Sequence, residues 1–346
     1  MEKHSRIFVA GHRGLAGSAV VRELKRQGYN NLIVRTHAQC DLSDARAVEN
    51  LFSEEAPEYV CLAAARVGGI LANRDKPVQF LLENLRLQES VIEACFRHKV
   101  KRLLFLGSSC IYPRECPQPI REEYLLSGPL ELTNRSYALA KIAGVELCWG
   151  FNRQYGTRFL TLMPCNLYGP GDNLDLETSH VVPALIRKTC EAQFRRDSEI
   201  EVWGTGRPLR EFLYIDDFAE ACVFAMNLDD RKANLLLGEE RPPLLNVGSG
   251  EEISVGNLAT MIAEEVGFTG GIRFDPSRPD GTLRKILDSK FMRTLGWTPK
   301  TSLRDGIRAT IKAARSQIEA GLPIQHPDVS RSMQPQLEET VAQDSL

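Results

Sequence analysis

The sequence has no large excess of charge of either sign and no long hydrophobic run. Its 43 lysine and arginine residues nearly balance its 45 aspartate and glutamate residues, which gives a formal net charge of −2. This balance gives no electrostatic reason to expect a nucleic-acid partner. No apolar run approaches the ~18 residues that a transmembrane helix needs, and the start MEKHSRIFVAG reads as a strand after a short charged segment, not as a signal peptide. We therefore expect no membrane partner.

Cysteine pairs at the spacing of a disulfide framework or a metal site are also missing. The nine cysteines are an odd number, and none forms a CxxC pair or has a histidine partner at metal spacing. This pattern argues against a disulfide framework and against zinc, so we expect no metal and a reducing, cytoplasmic setting. The cysteines are Cys40, Cys61, Cys95, Cys110, Cys116, Cys148, Cys165, Cys190 and Cys222.

The amino-terminal sequence RIFVAGHRGLAGSAVVREL has the pattern of a strand, a glycine-rich turn and an amphipathic helix. In such a turn the first glycine permits a tight bend, the second lets the backbone approach a pyrophosphate, and the third lets helix and strand pack closely. The helix start adds free N–H groups and the positive end of its dipole. A plain turn is the alternative, because the spacing is GxxGxxG and not GxGxxG. The predicted cofactor contacts here are Gly11, His12, Arg13, Gly14, Leu15, Ala16 and Gly17.

The second predicted strand, at 32–35, ends without the acidic residue that commonly holds the adenosine ribose 2′-hydroxyl. Arg35, Thr36 and His37 stand there instead, and Arg13 is available from the glycine loop. Local basic groups favour a 2′-phosphate, and therefore NADP(H) over NAD(H). The alternative is that Arg35 merely faces solvent. Asp41 is a further predicted contact, to the adenine edge.

Tyr137 and Lys141 lie four residues apart in SYALAKIAG. On a helix this spacing brings two side chains onto one face, about 5–6 Å apart. A phenol titrates near pKa ~10, so it serves as an acid or base near neutral pH only beside a positive charge that favours the phenolate. Lys141 supplies that charge. Taken alone, the pair also fits a solvated helix face.

Apolar strand-like runs alternate with amphipathic segments along most of the chain, which predicts an α/β fold with a doubly wound parallel sheet of the Rossmann type. We expect a dinucleotide-binding domain at 1–169, with a returning strand near 244–250. A smaller, discontinuous substrate-binding lobe is expected at 170–322, followed by a disordered tail at 323–346. Long helices are predicted at 78–98 and 136–155, and their apolar faces suggest a homodimer through a four-helix bundle.

Several motifs in order give the chain a family resemblance. GHRGLAG, AAARVGGI, GSSCIYP, YALAK, NLYGP, VWGTGRPLREFL and RPDGTLRK together resemble the extended short-chain dehydrogenases/reductases that act on nucleotide sugars, and most specifically the GDP-L-fucose synthase family. The resemblance covers about residues 5 to 315. It implies an NADPH-dependent enzyme that epimerises GDP-4-keto-6-deoxy-D-mannose at C3 and C5 and reduces its C4 ketone to give GDP-L-fucose.

The resemblance also implies roles for individual residues. Ser108 and Tyr137 would bind the ketone oxygen, with Lys141 beside them, while hydride reaches C4. The protons at C3 and C5 are acidic because both carbons adjoin the ketone, and Cys110 would act as the base and His180 as the acid. On sequence alone, each of these two residues also fits a purely structural role.

Further contacts follow from the same resemblance. The cofactor would be contacted by His37, Asp41, Leu42, Leu106, Gly107, Ser108, Ser109, Lys141, Pro164, Cys165, Asn166, Leu167 and His180. The nucleotide sugar would be contacted by Lys188, Trp203, Arg210 and Asp280. The sequence departs from the family pattern at Cys165, Lys188 and His37. Because a neutral histidine holds a 2′-phosphate less firmly than arginine, His37 leaves dual use of NADP and NAD open.

Two alternatives remain at this point. The chain fits another nucleotide-sugar epimerase or a dehydratase of the same fold, although a dehydratase is expected to carry a Thr-Asp-Glu set where this chain has Ser108, Ser109 and Cys110. It also fits a non-catalytic protein that senses NADP and regulates a partner. Such a protein commonly loses the catalytic Tyr or Lys, and both are retained here.

Overall fold

The computed structural model describes residues 1–319 except residues 177 and 279, so the predicted tail at 323–346 lies outside the described residues. The strands are β1 (Ile7–Ala10), β2 (Leu32–Ile33), β3 (Tyr59–Leu62), β4 (Arg102–Leu106), β5 (Phe159–Pro164), β6 (Asn166–Tyr168), β7 (Glu199–Trp203), β8 (Leu209–Tyr214), β9 (Leu244–Val247), β10 (Glu252–Ser254), β11 (Gly271–Asp275) and β12 (Arg284–Lys285).

The α-helices are α1 (Leu15–Arg26), α2 (Ala45–Glu55), α3 (Ile70–Asp75), α4 (Pro77–Arg97), α5 (Arg135–Tyr155), α6 (Val181–Arg195), α7 (Ile215–Met226), α8 (Asp230–Asn234), α9 (Val255–Val266), α10 (Lys290–Leu295) and α11 (Leu303–Glu319). Both long helices predicted from the sequence, at 78–98 and 136–155, are confirmed by α4 and α5. None of the helices in the described part of the chain is long and apolar enough to cross a membrane.

A six-stranded parallel sheet forms the centre of the molecule, with the strand order β2-β1-β3-β4-β5-β9. This confirms the predicted doubly wound parallel sheet. Every residue of β1, β4, β5 and β9 is buried and most are apolar, because helices cover both faces of the sheet. The chain leaves β1 in one direction toward β2 and then crosses to β3 on the other side, so a ligand crevice is expected at the carboxyl ends beside β1.

Two helix pairs cover the sheet. Helix α4 packs against α5, and α1 packs against α7. The strand predicted at 32–35 is shorter in the structure, since β2 ends at Ile33 and residues 34–35 leave the ladder.

A second hydrophobic core lies apart from the one around the large sheet. It consists of apolar residues from α6, β8, α9 and α11, among them Ile186, Phe212, Ile262 and Ile311. The chain passes between the two cores several times, because α7, β9 and α10 pack in the first core although they follow parts of the second in sequence. Strand β8 pairs with β6, β10 and β12. Because β6 follows the carboxyl end of β5, its pairing with β8 places the second core next to the carboxyl edge of the large sheet.

Candidate active site

The glycine-rich turn after β1 is shaped for close backbone approach. Gly11 has φ +83°, and a Cβ there would lie 2.7 Å from the backbone nitrogen of Ala64. A Cβ on Gly17 would lie 2.1 Å from the carbonyl oxygen of Gly11, so only glycine lets α1 start so near the turn. Gly14 caps α1 without any side-chain hydrogen bond, which leaves the first N–H groups of the helix for an anion.

Nδ1 of His12, the residue after Gly11, is buried and has no hydrogen-bond partner among the described residues. Burial and the nearby charge of Arg13 lower the pKa of His12, so its imidazole is neutral at neutral pH. An unpartnered buried nitrogen beside a bare helix start fits a dinucleotide, whose phosphate and ribose oxygens are hydrogen-bond partners.

One of the basic groups after β2 is already paired with a carboxylate. Arg35 forms an ion pair with Glu55 at the end of α2, so its charge is already engaged. His37 is half exposed, and its Nδ1 lies 3.7 Å from Asp41. No local pattern predicts the pairing of Arg35, because its partner stands twenty positions further on.

Ser108 and Cys110 follow β4 at the carboxyl edge of the sheet. The Ser108 hydroxyl accepts a hydrogen bond from the Cys110 backbone nitrogen at 3.4 Å and caps a 3-10 turn over Ser109–Ile111. Cys110 is 6% exposed, and burial raises the pKa of its thiol. The charges of Lys285 and Lys141 and the Ser108 hydroxyl act in the opposite direction and favour the thiolate.

Tyr137 and Lys141 lie on one face of α5 and point toward the same edge. The Lys141 ammonium is 5.9 Å from the centre of the Tyr137 ring and donates a hydrogen bond of 2.8 Å to the Leu106 carbonyl at the end of β4. Burial lowers the pKa of Lys141 to about 8, and the charge of Cys110 partly offsets this. Burial raises the pKa of Tyr137, with a further contribution from Cys110, so the phenol holds its proton at neutral pH.

His180 is the residue just before α6, and its loop lies against the loop after β3. The Gly69 backbone nitrogen donates a hydrogen bond of 3.3 Å to the Thr178 carbonyl. Phe80 packs edge-on against Tyr137 with ring centres 6.4 Å apart, and a Cβ on Gly68 would lie 3.0 Å from the Phe80 ring. His180 is exposed, yet the protein atoms around its imidazole desolvate it and lower its pKa.

The remaining residues predicted to contact a cofactor also follow strands at this edge. Leu106 ends β4 and Gly107 follows it, and residues 164–167 span the end of β5 and the start of β6. The Asn166 amide donates a hydrogen bond of 2.8 Å to the Glu211 carbonyl on β8, which links this segment to the second core. Cys165 is buried, and burial raises the pKa of its thiol.

The four residues predicted to contact the nucleotide sugar form one cluster on the second-core side. Lys188 Nζ lies 5.1 Å from the centre of the Trp203 ring and donates a hydrogen bond of 3.2 Å to the Glu201 carbonyl. Arg210 donates a hydrogen bond of 3.3 Å to the Asp280 carbonyl. The Asp280 carboxylate accepts hydrogen bonds from the Thr205 backbone nitrogen at 2.7 Å and hydroxyl at 2.8 Å, so it shapes the turn after Trp203.

Two cations of this region were missed by the sequence reasoning. The guanidinium carbon of Arg278 lies 4.8 Å from the centre of the Trp203 ring, so Arg278 also contacts that ring. Lys285 stands opposite Arg210 in the pairing of β12 with β8 and lines a cavity with Cys110. The only signal for Lys285 was its position in the RPDGTLRK motif, because the strand pairing that brings it to Cys110 is not visible in the sequence.

The chain matches the NAD dependent epimerase/dehydratase family over residues 7–241. It is similar to GDP-L-fucose synthase 1 from Arabidopsis thaliana, with 52% identity over 309 residues that cover 89% of this chain and 93% of the relative. A GDP-6-OMe-4-keto-L-xylo-heptose reductase from C. jejuni has a similar structure, with a TM-score of 0.87 and 37% identity over 92% of this chain and 99% of that one.

A GDP-L-fucose synthetase from Naegleria fowleri, solved with NADP bound, superimposes with a TM-score of 0.79 and 29% identity, covering 92% of this chain and 96% of the other. Like the match to the plant relative, this match covers nearly the whole chain. The glycine-rich turn, the Tyr137–Lys141 pair and the thiol after β4 thus stand in a chain that belongs to the NAD dependent epimerase/dehydratase family and, within it, to the GDP-L-fucose synthases.

Proposed function

We propose that this chain converts GDP-4-keto-6-deoxy-D-mannose to GDP-L-fucose by inverting C3 and C5 and reducing the C4 ketone with NADPH. One observation carries the proposal. The Cys110 thiol and the Lys141 ammonium are buried at the end of β4, and the half-buried Tyr137 phenol lies within electrostatic reach of both. A phenol beside an ammonium suits ketone reduction, and the added thiol suits proton abstraction from carbon next to that ketone.

NADPH supplies a hydride when it is bound. The backbone of the glycine-rich turn and the start of α1 would hold its pyrophosphate, and His12 has an unpartnered buried nitrogen to offer. With Arg35 paired to Glu55, recognition of a 2′-phosphate falls to His37 and Arg13. Dual use of NADP and NAD remains part of this proposal.

In the reduction, Tyr137 donates its proton to the C4 oxygen and Ser108 donates a hydrogen bond to the same oxygen. Because burial raises the pKa of Tyr137, the phenol holds the proton that this step consumes. Lys141, anchored on the Leu106 carbonyl, stabilises the phenolate that remains.

In the epimerisations, the Cys110 thiolate removes a proton from C3 or C5, and His180 returns a proton from the other face of the ring. Tyr137 and Ser108 stabilise the oxygen of the enolate that forms in between. One base and one acid serve both carbons, because both flank the same ketone.

The second core is proposed to be the substrate-binding lobe. Arg210 and Lys188 would bind the diphosphate, with the guanidinium of Arg210 able to bind in a bidentate way and Lys188 acting as a point charge. The Trp203 ring, 40% exposed, offers a flat apolar face to the nucleotide. Asp280 would support this cluster by holding the turn after Trp203.

A homodimer and a cytoplasmic setting complete the proposal. Large apolar side chains face outward on α4 and α5, with exposures of 60% for Val78, 42% for Leu82, 39% for Leu139 and 51% for Tyr155. A symmetric four-helix contact between two copies would cover them. All nine cysteines are free, as a reducing compartment requires.

The test is a reaction of purified protein with GDP-4-keto-6-deoxy-D-mannose and NADPH or NADH, followed by absorbance and with the product identified by NMR. The wild-type chain is expected to yield GDP-L-fucose. Tyr137→Phe should lower reduction by about 10²–10⁴-fold. Cys110→Ser should stop epimerisation while NADPH binding persists. If the wild-type protein produces a reduced 6-deoxy sugar in which C3 and C5 are not inverted, the roles of Cys110 and His180 are contradicted. If it consumes no NADPH, the proposed reductase activity is rejected.

A further inference from the structure

Cys110 lines a cavity between the turn after β4 and strand β12. It holds about 370 Å³ of empty space, including its open mouth. Three separate segments line this cavity: the turn after β4 contributes Cys110, the loop before α5 contributes Glu131, and β12 contributes Lys285. A thiol, a carboxylate and an amine thus share one space that opens to solvent.

Lys285 is held in this wall from two sides. Its strand β12 pairs in parallel with β8, and Lys285 stands opposite Arg210. On the other side, the Ile286 backbone nitrogen donates a hydrogen bond of 3.0 Å to the Gln118 side chain, and the Ile120 nitrogen donates one of 2.8 Å to the Ile286 carbonyl. Residues 118–120 follow Cys110 closely in the chain, so the backbone of Lys285 is fixed relative to the thiol.

The charged groups that face Lys285 come from several elements. Cys110, Cys116 and Glu131 favour its ammonium, whereas burial and the charge of Arg210 lower its pKa, burial most strongly. Arg114 lies 3.5 Å from Glu131 and competes for that carboxylate. Among the described residues the Lys285 ammonium makes no hydrogen bond, and it lines the cavity, so the amine can exchange its proton with water there.

The epimerisations proposed above require the thiol to be reset. After each inversion Cys110 holds the abstracted proton and His180 has lost one, and a second carbon must then be inverted by the same pair. Burial raises the pKa of Cys110, and desolvation lowers that of His180. Both effects favour a protonated thiol and a neutral imidazole, which is the distribution that cannot react.

We propose that Lys285 takes the proton from the Cys110 thiol and passes it to water in the cavity, which restores the thiolate between the two inversions. In this step an S–H bond breaks and an N–H bond forms, and the ammonium then releases its proton to water without any redox change. Lys285 is a positioning residue, because it acts through Cys110 and does not act on the sugar. The inference rests on the proposed function.

The first experiment needs no substrate. The rate of Cys110 alkylation by iodoacetamide is measured against pH, with the site identified by mass spectrometry; cleavage after Arg114 puts Cys110 and Cys116 in different peptides. Lys285→Met should slow Cys110 alkylation about tenfold at pH 7, which corresponds to an upward shift of about one pH unit in the profile. Lys285→Arg should retain the wild-type profile, because it keeps the charge. Arg284→Met is the matched control, since Arg284 lines the same cavity but its guanidinium pairs with Glu252 at 2.8 Å.

The second experiment separates a nearby charge from a proton carrier. Incorporation of solvent deuterium at C3 and C5 is followed in D₂O without NADPH. Both Lys285→Met and Lys285→Arg should lose exchange, because a guanidinium does not give up its proton near neutral pH. Methylamine should restore exchange in Lys285→Met.

The outcomes separate the two proposals. Full exchange in Lys285→Arg, or an unshifted alkylation profile in Lys285→Met, overturns the role of Lys285. So does a raised KM with unchanged maximal exchange, which would assign Lys285 to substrate binding. Absence of exchange in wild-type protein would instead reject the proposed epimerase, while the alkylation profile would still report on Lys285 and Cys110.

Discussion

Lys141 shows at the scale of one residue how a functional group costs stability. It is 3% exposed, and its pKa falls from 10.5 to about 8. The folded chain therefore binds fewer protons than the unfolded chain between pH 8 and 10.5. Stability contributed at this site consequently rises as the pH rises through that window.

Lys141→Met should stabilise the protein at pH 7 by on the order of 1–3 kcal/mol while abolishing reduction, because the buried ammonium and its desolvation penalty are removed. The variant should also lack the rise in stability between pH 8 and 10.5. Urea unfolding at pH 7 and pH 10 checks both points. Lys25→Met, at an exposed position on α1, is the control. If the two variants were equally stable at pH 7, the buried Lys141 ammonium would not be destabilising the wild-type protein.

At the scale of an element, the start of α1 separates the demands of folding from those of binding. A Cβ on Gly17 would overlap the Gly11 carbonyl, whereas a Cβ on Gly14 would lie at an ordinary 3.5 Å from that oxygen. Gly14 also has a φ of −77°, which alanine adopts readily.

Gly17→Ala should therefore lower the free energy of unfolding by about 1–3 kcal/mol or more, since backbone must move. Gly14→Ala should keep the fold and weaken NADPH binding, because its methyl group occupies the approach to the helix start. Thermal unfolding and titration with NADPH distinguish the two effects. A Gly14→Ala protein that binds NADPH as wild type does would show that this glycine does not face the pyrophosphate.

The loop that leads to His180 carries a carboxyl group with an unusual titration. Burial raises the pKa of Asp172 to about 7, and its Oδ2 has no hydrogen-bond partner among the described residues. Folded protein thus binds more protons than unfolded protein between pH 3.8 and 7. The stability contributed by Asp172 is lost as the pH rises through that window.

Asp172→Asn should remove this dependence and exceed the wild-type protein in stability at pH 8 by on the order of 1–3 kcal/mol, because an uncharged amide replaces a buried carboxylate. Melting temperatures at pH 5 and pH 8 test this. Asp230→Asn serves as control, since the Asp230 side chain is 84% exposed. A difference between wild type and Asp172→Asn that does not change with pH would be inconsistent with the shifted titration.

At the scale of the whole molecule, Glu211 connects the two cores. Glu211 lies fully buried on β8. Its carboxylate accepts hydrogen bonds from the Gly250 nitrogen at 2.7 Å and the Leu287 nitrogen at 2.9 Å. Its own carbonyl holds the Asn166 amide. One residue of β8 thus joins three segments that border the candidate active site.

Glu211→Gln should lower the free energy of unfolding by about 1–3 kcal/mol, because an amide offers one acceptor oxygen where two N–H donors must be satisfied. Urea unfolding checks the prediction, with Glu251→Gln as control at a neighbouring exposed position. If both variants unfold alike, Glu211 does not act as a connection between the cores.

Much of the large sheet was predictable from the sequence because its strands are locally apolar and its first turn is rich in glycine. The same holds for Tyr137 and Lys141, since a helix fixes the distance between residues four apart. The engagement of Arg35 by Glu55 and the approach of Lys285 to Cys110 were not predictable. Both depend on contacts between distant segments, which hydrophobic periodicity does not encode. The roles assigned to individual site residues stay predictions until the variants above are measured.

The separation of β5 from β9 in the chain has a consequence for synthesis on the ribosome. Every residue of β5 is buried, and β9 is its neighbour on one side. Thr161 of β5 stands opposite Leu244 of β9, although the two residues are far apart in sequence. Until Leu244–Val247 has left the exit tunnel, β5 is an unprotected apolar edge. Nascent chains that stall between these strands are therefore expected to need a chaperone, and truncated products ending there should aggregate.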